Sequence, residues 1–268
     1  MQGSEPIEPP GFMVVQPCVR TQSLLLTDVD ATREYMSSFK MCGAFSPVSD
    51  YHGFAAVIWD FFRKTLGCEK ENIRIHGANR HRALLAPWEH RGEDPKLLLD
   101  TFPDSYYEWE FGVDRISGHG LTIALRMHHS QSFRDVGNIM EVCRDGAPIA
   151  YGLGFGLETL VSRLHHLEKP LLCAPVSTVI AYEKGACERY ADLAQLAVVL
   201  YRAGVRPNRT HRGAIAVKTL QALLACIDHL RMPFDSCLRH FSLFEEVEFG
   251  NQTGVSRAIV ADLKRLEI

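Results

Sequence analysis

The chain has 268 residues, 46% of them hydrophobic and 23% charged, with a formal net charge of −3. That suits one large domain or two modest ones with a sizeable core, and it excludes a generally basic nucleic-acid binder, so any RNA contact has to come from a local patch. Eight cysteines form no C-x-x-C pair, no basic-then-apolar signal pattern opens the sequence, and no apolar run approaches the roughly 20 residues that cross a bilayer. A reducing, cytoplasmic location is expected.

Residues 1–11 are proline-rich and acidic and read as an extended lead. Phe12 begins a strand that runs to Arg20, with Pro17 marking it as an edge strand or a bulge. After a loop, Tyr35–Phe45 reads as a second strand, antiparallel to the first. Asp50–Leu66 is expected as a helix with one face formed by Phe54, Val57, Ile58, Phe61 and Phe62, closed by Gly67. Ile73–His76 is a short strand, residues 77–104 look irregular, and Tyr106–Phe111 and Gly120–His128 are strands separated by a loop over Asp114–His119. Asn138–Cys143 is another strand, followed by a turn at residues 144–148. The pattern predicts an α+β fold with a mainly antiparallel sheet.

At Gly152, Gly154 and Gly156, glycine alternates with apolar residues, and from Leu157 the period changes to that of a helix through Leu160, Val161 and Leu164. A strand face without side chains lets a flat ligand or another backbone approach closely. Beyond Pro170 and Pro175 the chain is helical: Cys187–Tyr201, Gly213–Leu230 and Val255–Leu266 each carry an apolar face. These features divide the chain into residues 1–173 and an all-helical part over residues 174–268. The twelve histidines suggest no metal site, because the adjacent pairs His128-His129 and His165-His166 do not face one ligand together, and His76 and His81 fall in an arginine-rich stretch.

The joint Gly154-Phe155-Gly156-Leu157-Glu158 resembles the third signature motif of class II aminoacyl-tRNA synthetases, which forms the floor of their ATP site. Gln16-Pro17-Cys18-Val19-Arg20, Thr27-Asp28-Val29-Asp30 and Phe39-x-Met41-x-Gly43-Ala44-Phe45 resemble motif 2 of alanyl-tRNA synthetases. Residues 206–213, Arg206-Pro207-Asn208-Arg209-Thr210-His211-Arg212-Gly213, resemble the start of the central helix in that family's tRNA-recognition domain. The resemblance implies that Arg20 grips an α-phosphate, since a guanidinium binds phosphate bidentately. It also implies that Asp28, Asp30, Arg33, Phe39, Asn138, Gly152, Gly154, Gly156 and Thr159 surround the substrate. Arg202, Arg206, Arg209, Arg212 and Lys218 would face tRNA; cations at a helix start oppose its dipole unless a polyanion lies there.

Several positions depart from the family. Lys40 stands where it has a glutamate, Gly118-His119-Gly120-Leu121-Thr122 where it has Gly-Pro-Cys-x-Glu, Gly152 where an aspartate holds the alanine amino group, and Thr159 where an arginine holds the γ-phosphate. Motif 1 and the editing domain are not seen. The resulting expectation is an aminoacyl transferase that moves an amino acid from charged tRNA to a small-molecule acceptor without ATP or another cofactor, with Arg20 and His119 as its catalytic residues. An ATP- and Mg²⁺-dependent ligase, with Arg33, Arg115 or Arg126 replacing the missing arginine, and a non-catalytic tRNA-binding paralogue are the alternatives. The sequence leaves the amino acid, the acceptor and the oligomeric state open.

Overall fold

The computed structural model describes residues 7–8, 10–20, 35–89, 96–99, 102–110, 115–127, 132–180 and 188–267. The chain forms two compact units, one of Met1–Gln16 with Met41–His166 and one of Pro17–Lys40 with Leu167–Ile268. Leu171 and Ala174, within the Pro170–Pro175 stretch, are part of the helical core.

The first unit is built on a mixed sheet. The sheet's strands are β1 (Phe12–Val19) and β2 (Ser38–Ser46), whose residues 17–19 and 38–40 fall in the second unit, then β3 (Ile73–Gly77), β4 (Lys96–Leu99), β5 (Glu108–Glu110), β6 (Ile116–Arg126), β7 (Phe133–Arg144) and β8 (Ala147–Gly156). Their order is β1-β2-β8-β7-β6-β3-β4, with β5 also paired to β6. The pairs β2–β8, β8–β7, β7–β6, β6–β3 and β6–β5 are antiparallel, and β3–β4 is parallel. The architecture is α+β, and Pro17 lies, as its missing N–H requires, on the edge strand β1.

One face of the sheet carries the core. Ile73, Ile75, Leu121, Ile123, Ile139 and Leu153 alternate inward and meet Phe54, Ile58, Trp59 and Phe62, which recur at helical spacing on α1 (Tyr51–Asp60) and its continuation. That continuation is a π-helical turn, Phe61–Thr65, which ends before Gly67 at φ +68°. After β8 comes α2 (Leu157–Leu164), whose Leu160 joins the same core.

Three local expectations change. Tyr106 and Tyr107 sit in a 3₁₀ turn, Asp104–Tyr107, rather than a strand, because their rings are drawn onto His76. Residues 116–119, expected as a loop, are the first four residues of β6, held by β5 and β7 on either side. Strand β4 lies inside the stretch read as irregular.

The second unit contains α3 (Pro175–Ile180), α4 (Glu188–Arg202), α5 (His211–Leu230), α6 (Phe234–Phe249) and α7 (Val255–Leu266). Tyr190, Leu193, Leu196, Leu220, Leu223, Phe241, Phe244, Ile259 and Leu263 form its core. Helix α6 is not among the helices expected from the sequence, although Pro233 before it and Gly250 after it, at φ +72°, mark its ends. Among the described residues α5 alone is long and apolar enough to cross a membrane; here Ala216, Leu220, Leu223 and Cys226 bury one face of it among the other helices.

Glu245 is fully buried in this core. It accepts hydrogen bonds from Arg202, from the Thr253 N–H and hydroxyl, and from Ser256. Burial pushes its pKa up, but these donors outweigh it and hold the carboxyl below its usual range. The segment 17–40 is anchored to α4, where the Ser37 N–H and hydroxyl donate to Asp192 at 2.7 and 2.5 Å and Gln195 donates to the Ser38 carbonyl. Lys40, where the resembled family has glutamate, pairs with Glu248 of α6 at 2.5 Å.

Candidate functional site

In antiparallel strands, directly opposed residues share a face and successive residues alternate. The register therefore draws one straight row across five strands: Gly43, Gly154, Asn138, Thr122 and His76. The row beside it is Phe45, Gly152, Met140 and Gly120, and Gly156 opposes Met41 at the end of β8. All lie on the face opposite the core. A methyl group at Gly154 would meet only Met140 Cε at 3.4 Å and Met41 Sδ at 3.8 Å, and one at Gly152 would meet the Phe45 ring at 3.1 Å. Met41, Phe45 and Met140 thus fence a half-buried strip of bare backbone. Thr122 donates its hydroxyl to Asn138 Oδ1 at 3.1 Å, which leaves the Asn138 NH₂ group beside the strip without a hydrogen-bond acceptor among the described residues.

The histidine on this face is His76. Its Nδ1 lies 2.8 Å from the Tyr107 hydroxyl and its Nε2 lies 3.1 Å from Asp135 Oδ1, while the Tyr106 hydroxyl donates to the other Asp135 oxygen. Burial raises the Asp135 pKa, but the hydrogen bonds from His76 and Tyr106 and the charge of buried Arg163 on α2 together bring it below the usual carboxylate range. The group braces the end of the glycine face. Sequence reasoning passed over it, although the Ile73-Arg74-Ile75-His76 alternation already sends His76 away from the core.

His119 is not on the glycine face. It is one residue from Gly120, so its side chain leaves by the other side of β6, where it opposes Glu141 and, through it, Tyr151. His119 Nε2 is 3.0 Å from Glu141 Oε2, and Tyr151 donates its hydroxyl to Glu141 Oε1 at 2.8 Å. The buried thiol of Cys143 is two positions along the same strand face. The Tyr51 ring stacks on Tyr151 at 4.1 Å, and its hydroxyl donates to the Leu84 carbonyl and accepts from Trp88. Burial, together with the Glu141 carboxylate, drives the Tyr151 hydroxyl well above its normal range, so it remains a donor. Burial, then the neighbours His119 and Arg80, lowers the pKa of His81, whose ring stacks on His119 at 4.5 Å.

Thr159 is half-buried in the first turn of α2, and its carbonyl accepts the Ser162 hydroxyl. Arg20 and Phe39 are brought together in the second unit, where the Arg20 guanidinium carbon lies 5.4 Å from the Phe39 ring centre and 4.8 Å from that of Tyr35. Asp28, Asp30 and Arg33 lie outside the described residues. Two of the five cations expected on tRNA serve the fold. Arg202 donates to Glu245 and Asn251 and lies over Phe249, and Arg206 donates to the Tyr201 and Val205 carbonyls and lies over Tyr201. Arg209, Arg212 and Lys218 are exposed at the start of α5. Asn208 shapes that start by accepting the Thr210 N–H and hydroxyl, and it packs so closely on Gly213 that a methyl there would sit 2.2 Å from it.

No protein-family model matches the chain. No curated protein matches it either.

Proposed function

We propose that this chain, with a class II synthetase-like sheet, transfers an amino acid from charged tRNA to a small amine or amide acceptor without ATP. The observation that carries this reading is the engagement of Arg115 and Arg126, two of the three arginines that could replace the missing one; Arg33 lies outside the described residues. Thr159 offers no charge. Arg115, just ahead of β6, is held by Asp145 in the β7–β8 turn, with its Nε 2.5 Å from Oδ1. Arg126 lies over Phe133 and donates to the Glu71 carbonyl. The outer phosphates of ATP would be desolvated with no cation from these positions.

An aminoacyl-tRNA ester is already activated, so the reaction needs no nucleotide. The ester bond to the terminal ribose breaks, an amide bond to an amine acceptor (or an imide with an amide acceptor) forms, and the acceptor's proton passes to the departing ribose oxygen, which becomes the free hydroxyl. The glycine strip contributes positioning, and the Asn138 NH₂ is a donor available to the acyl carbonyl. His119, expected to be catalytic, lies on the opposite face and takes no part in this step.

The test is incubation with charged total tRNA and cell extract, without added ATP, following label from tRNA into small molecules, alongside ATP–pyrophosphate exchange with each proteinogenic amino acid. Label transfer with silent exchange supports the proposal. Exchange with any amino acid replaces it by a ligase, and silence in both assays replaces it by a tRNA-binding paralogue. On the RNA side, Arg209→Glu with Arg212→Glu is expected to flatten the salt dependence of tRNA binding, each lost phosphate contact removing about 0.9 from the log–log slope on duplex. An unchanged slope places the RNA elsewhere.

A further inference from the structure

We propose that His119, Glu141 and Cys143 hold a transition-metal ion of the zinc class on the face of the sheet opposite the glycine strip. Strand pairing, rather than sequence spacing, assembles the three donors: His119 opposes Glu141 across β6–β7, and Cys143 follows at the next same-side position of β7. One nitrogen, one oxygen and one sulfur atom all lie within 4.8 Å of one another. Zinc at about 2.0–2.3 Å from each donor places tetrahedral ligands roughly 3.5 Å apart, so closure requires side-chain shifts on the order of 1 Å. A mixed imidazole, carboxylate and thiolate set selects zinc, cobalt or nickel over magnesium or calcium, which prefer oxygen throughout.

The surroundings are those of a site whose ligands are held in place. Tyr151 fixes the other glutamate oxygen, Tyr51 stacks on Tyr151 and is itself anchored to Leu84 and Trp88, and His81 stacks on the His119 ring. Such outer contacts orient ligands and tune affinity. Three protein ligands leave a fourth position, and the exposure of the His119 side chain, at 30%, gives it a solvent approach. Without an ion, the same atoms make only a His–Glu contact beside a thiol. The two possibilities differ in whether Cys143 matters to metal uptake.

The protein, stripped with a chelator, is dialysed against zinc and its metal content is counted by mass spectrometry. It is then loaded with cobalt and followed by absorption. One zinc per chain and a sulfur-to-cobalt charge-transfer band are expected. Cys143→Ser, close in shape, should lose the band and His119→Ala the stoichiometric ion, both with an unchanged circular-dichroism spectrum. Tyr151→Phe should keep the stoichiometry with affinity about 10- to 100-fold weaker. If His119→Ala alters the fold, Cys143→Ser and Tyr151→Phe decide the matter. Substoichiometric zinc in the unaltered chain, or an undiminished cobalt band in Cys143→Ser, overturns the proposal. None of these readouts depends on aminoacyl transfer, so the two proposals fail separately.

Discussion

The two faces of the sheet in the first unit are made from the same strands and share almost no chemistry. One is a strip of glycine backbone fenced by Met41, Phe45 and Met140, with the Asn138 amide beside it. The other gives most of its area to an apolar core and ends in a tight polar group of His119, Glu141, Tyr151 and Cys143. Gly120 and His119 are neighbours in sequence and belong to different surfaces. A period of two therefore assigns function as well as packing, and an alignment that is right to within one residue still sends a side chain to the wrong face.

The sheet is most vulnerable at Gly120. A methyl there would lie 1.9 Å from the Ile139 carbonyl oxygen on β7. Gly120→Ala is expected to destabilise the protein by about 3 kcal/mol through forced separation of β6 and β7. Urea denaturation measures this, and a shift of less than about 0.5 kcal/mol would show that the strands are not so closely apposed.

Asp135 tests the brace at the end of the glycine face. Its folded pKa is lowered, so its contribution to stability is fully present above the usual aspartate value of about 3.9 and is lost as pH falls through the lower folded value. Asp135→Asn is expected to be less stable than the unaltered chain near neutral pH, with the gap closing in acid. Denaturation curves at a series of pH values check it; a gap independent of pH would mean that the carboxylate charge plays no part.

The smallest effect is the sharpest test of the strip. At Gly154 an added methyl makes only ordinary contacts. Gly154→Ala is expected to raise stability by about 0.5–1 kcal/mol, by reducing the freedom of the unfolded chain, while lowering activity. Thermal unfolding with a transfer assay on one preparation gives both numbers. A variant that is both more stable and fully active would show that nothing approaches the strip.

Much of the fold was legible because alternation and helical spacing are local. The glycine strand, its helix α2, the helix closed at Gly67 and three of the C-terminal helices could be read directly. What could not be read depends on partners distant in sequence. The 3₁₀ turn at Tyr106 and Tyr107 forms because their rings find His76, and β6 begins at Ile116 because β5 and β7 hold it on both sides. Arg202 and Arg206 looked like a basic patch, and only tertiary structure supplies the buried Glu245 and the Tyr201 ring that engage them. His119 with Glu141 and Cys143 was invisible for the same reason, since ligand-spacing rules describe single turns and loops and this group is made by strand pairing.

The most direct test of the account is transfer of labelled amino acid from charged tRNA to small-molecule amines without ATP, run on the unaltered chain, Gly154→Val and Tyr151→Phe. Transfer by the unaltered chain and by Tyr151→Phe, with loss in Gly154→Val while its circular-dichroism spectrum is unchanged, is the predicted result. Undiminished transfer in Gly154→Val, or label that stays on the tRNA with every form of the protein, would contradict the assignment of the glycine face as the reacting surface.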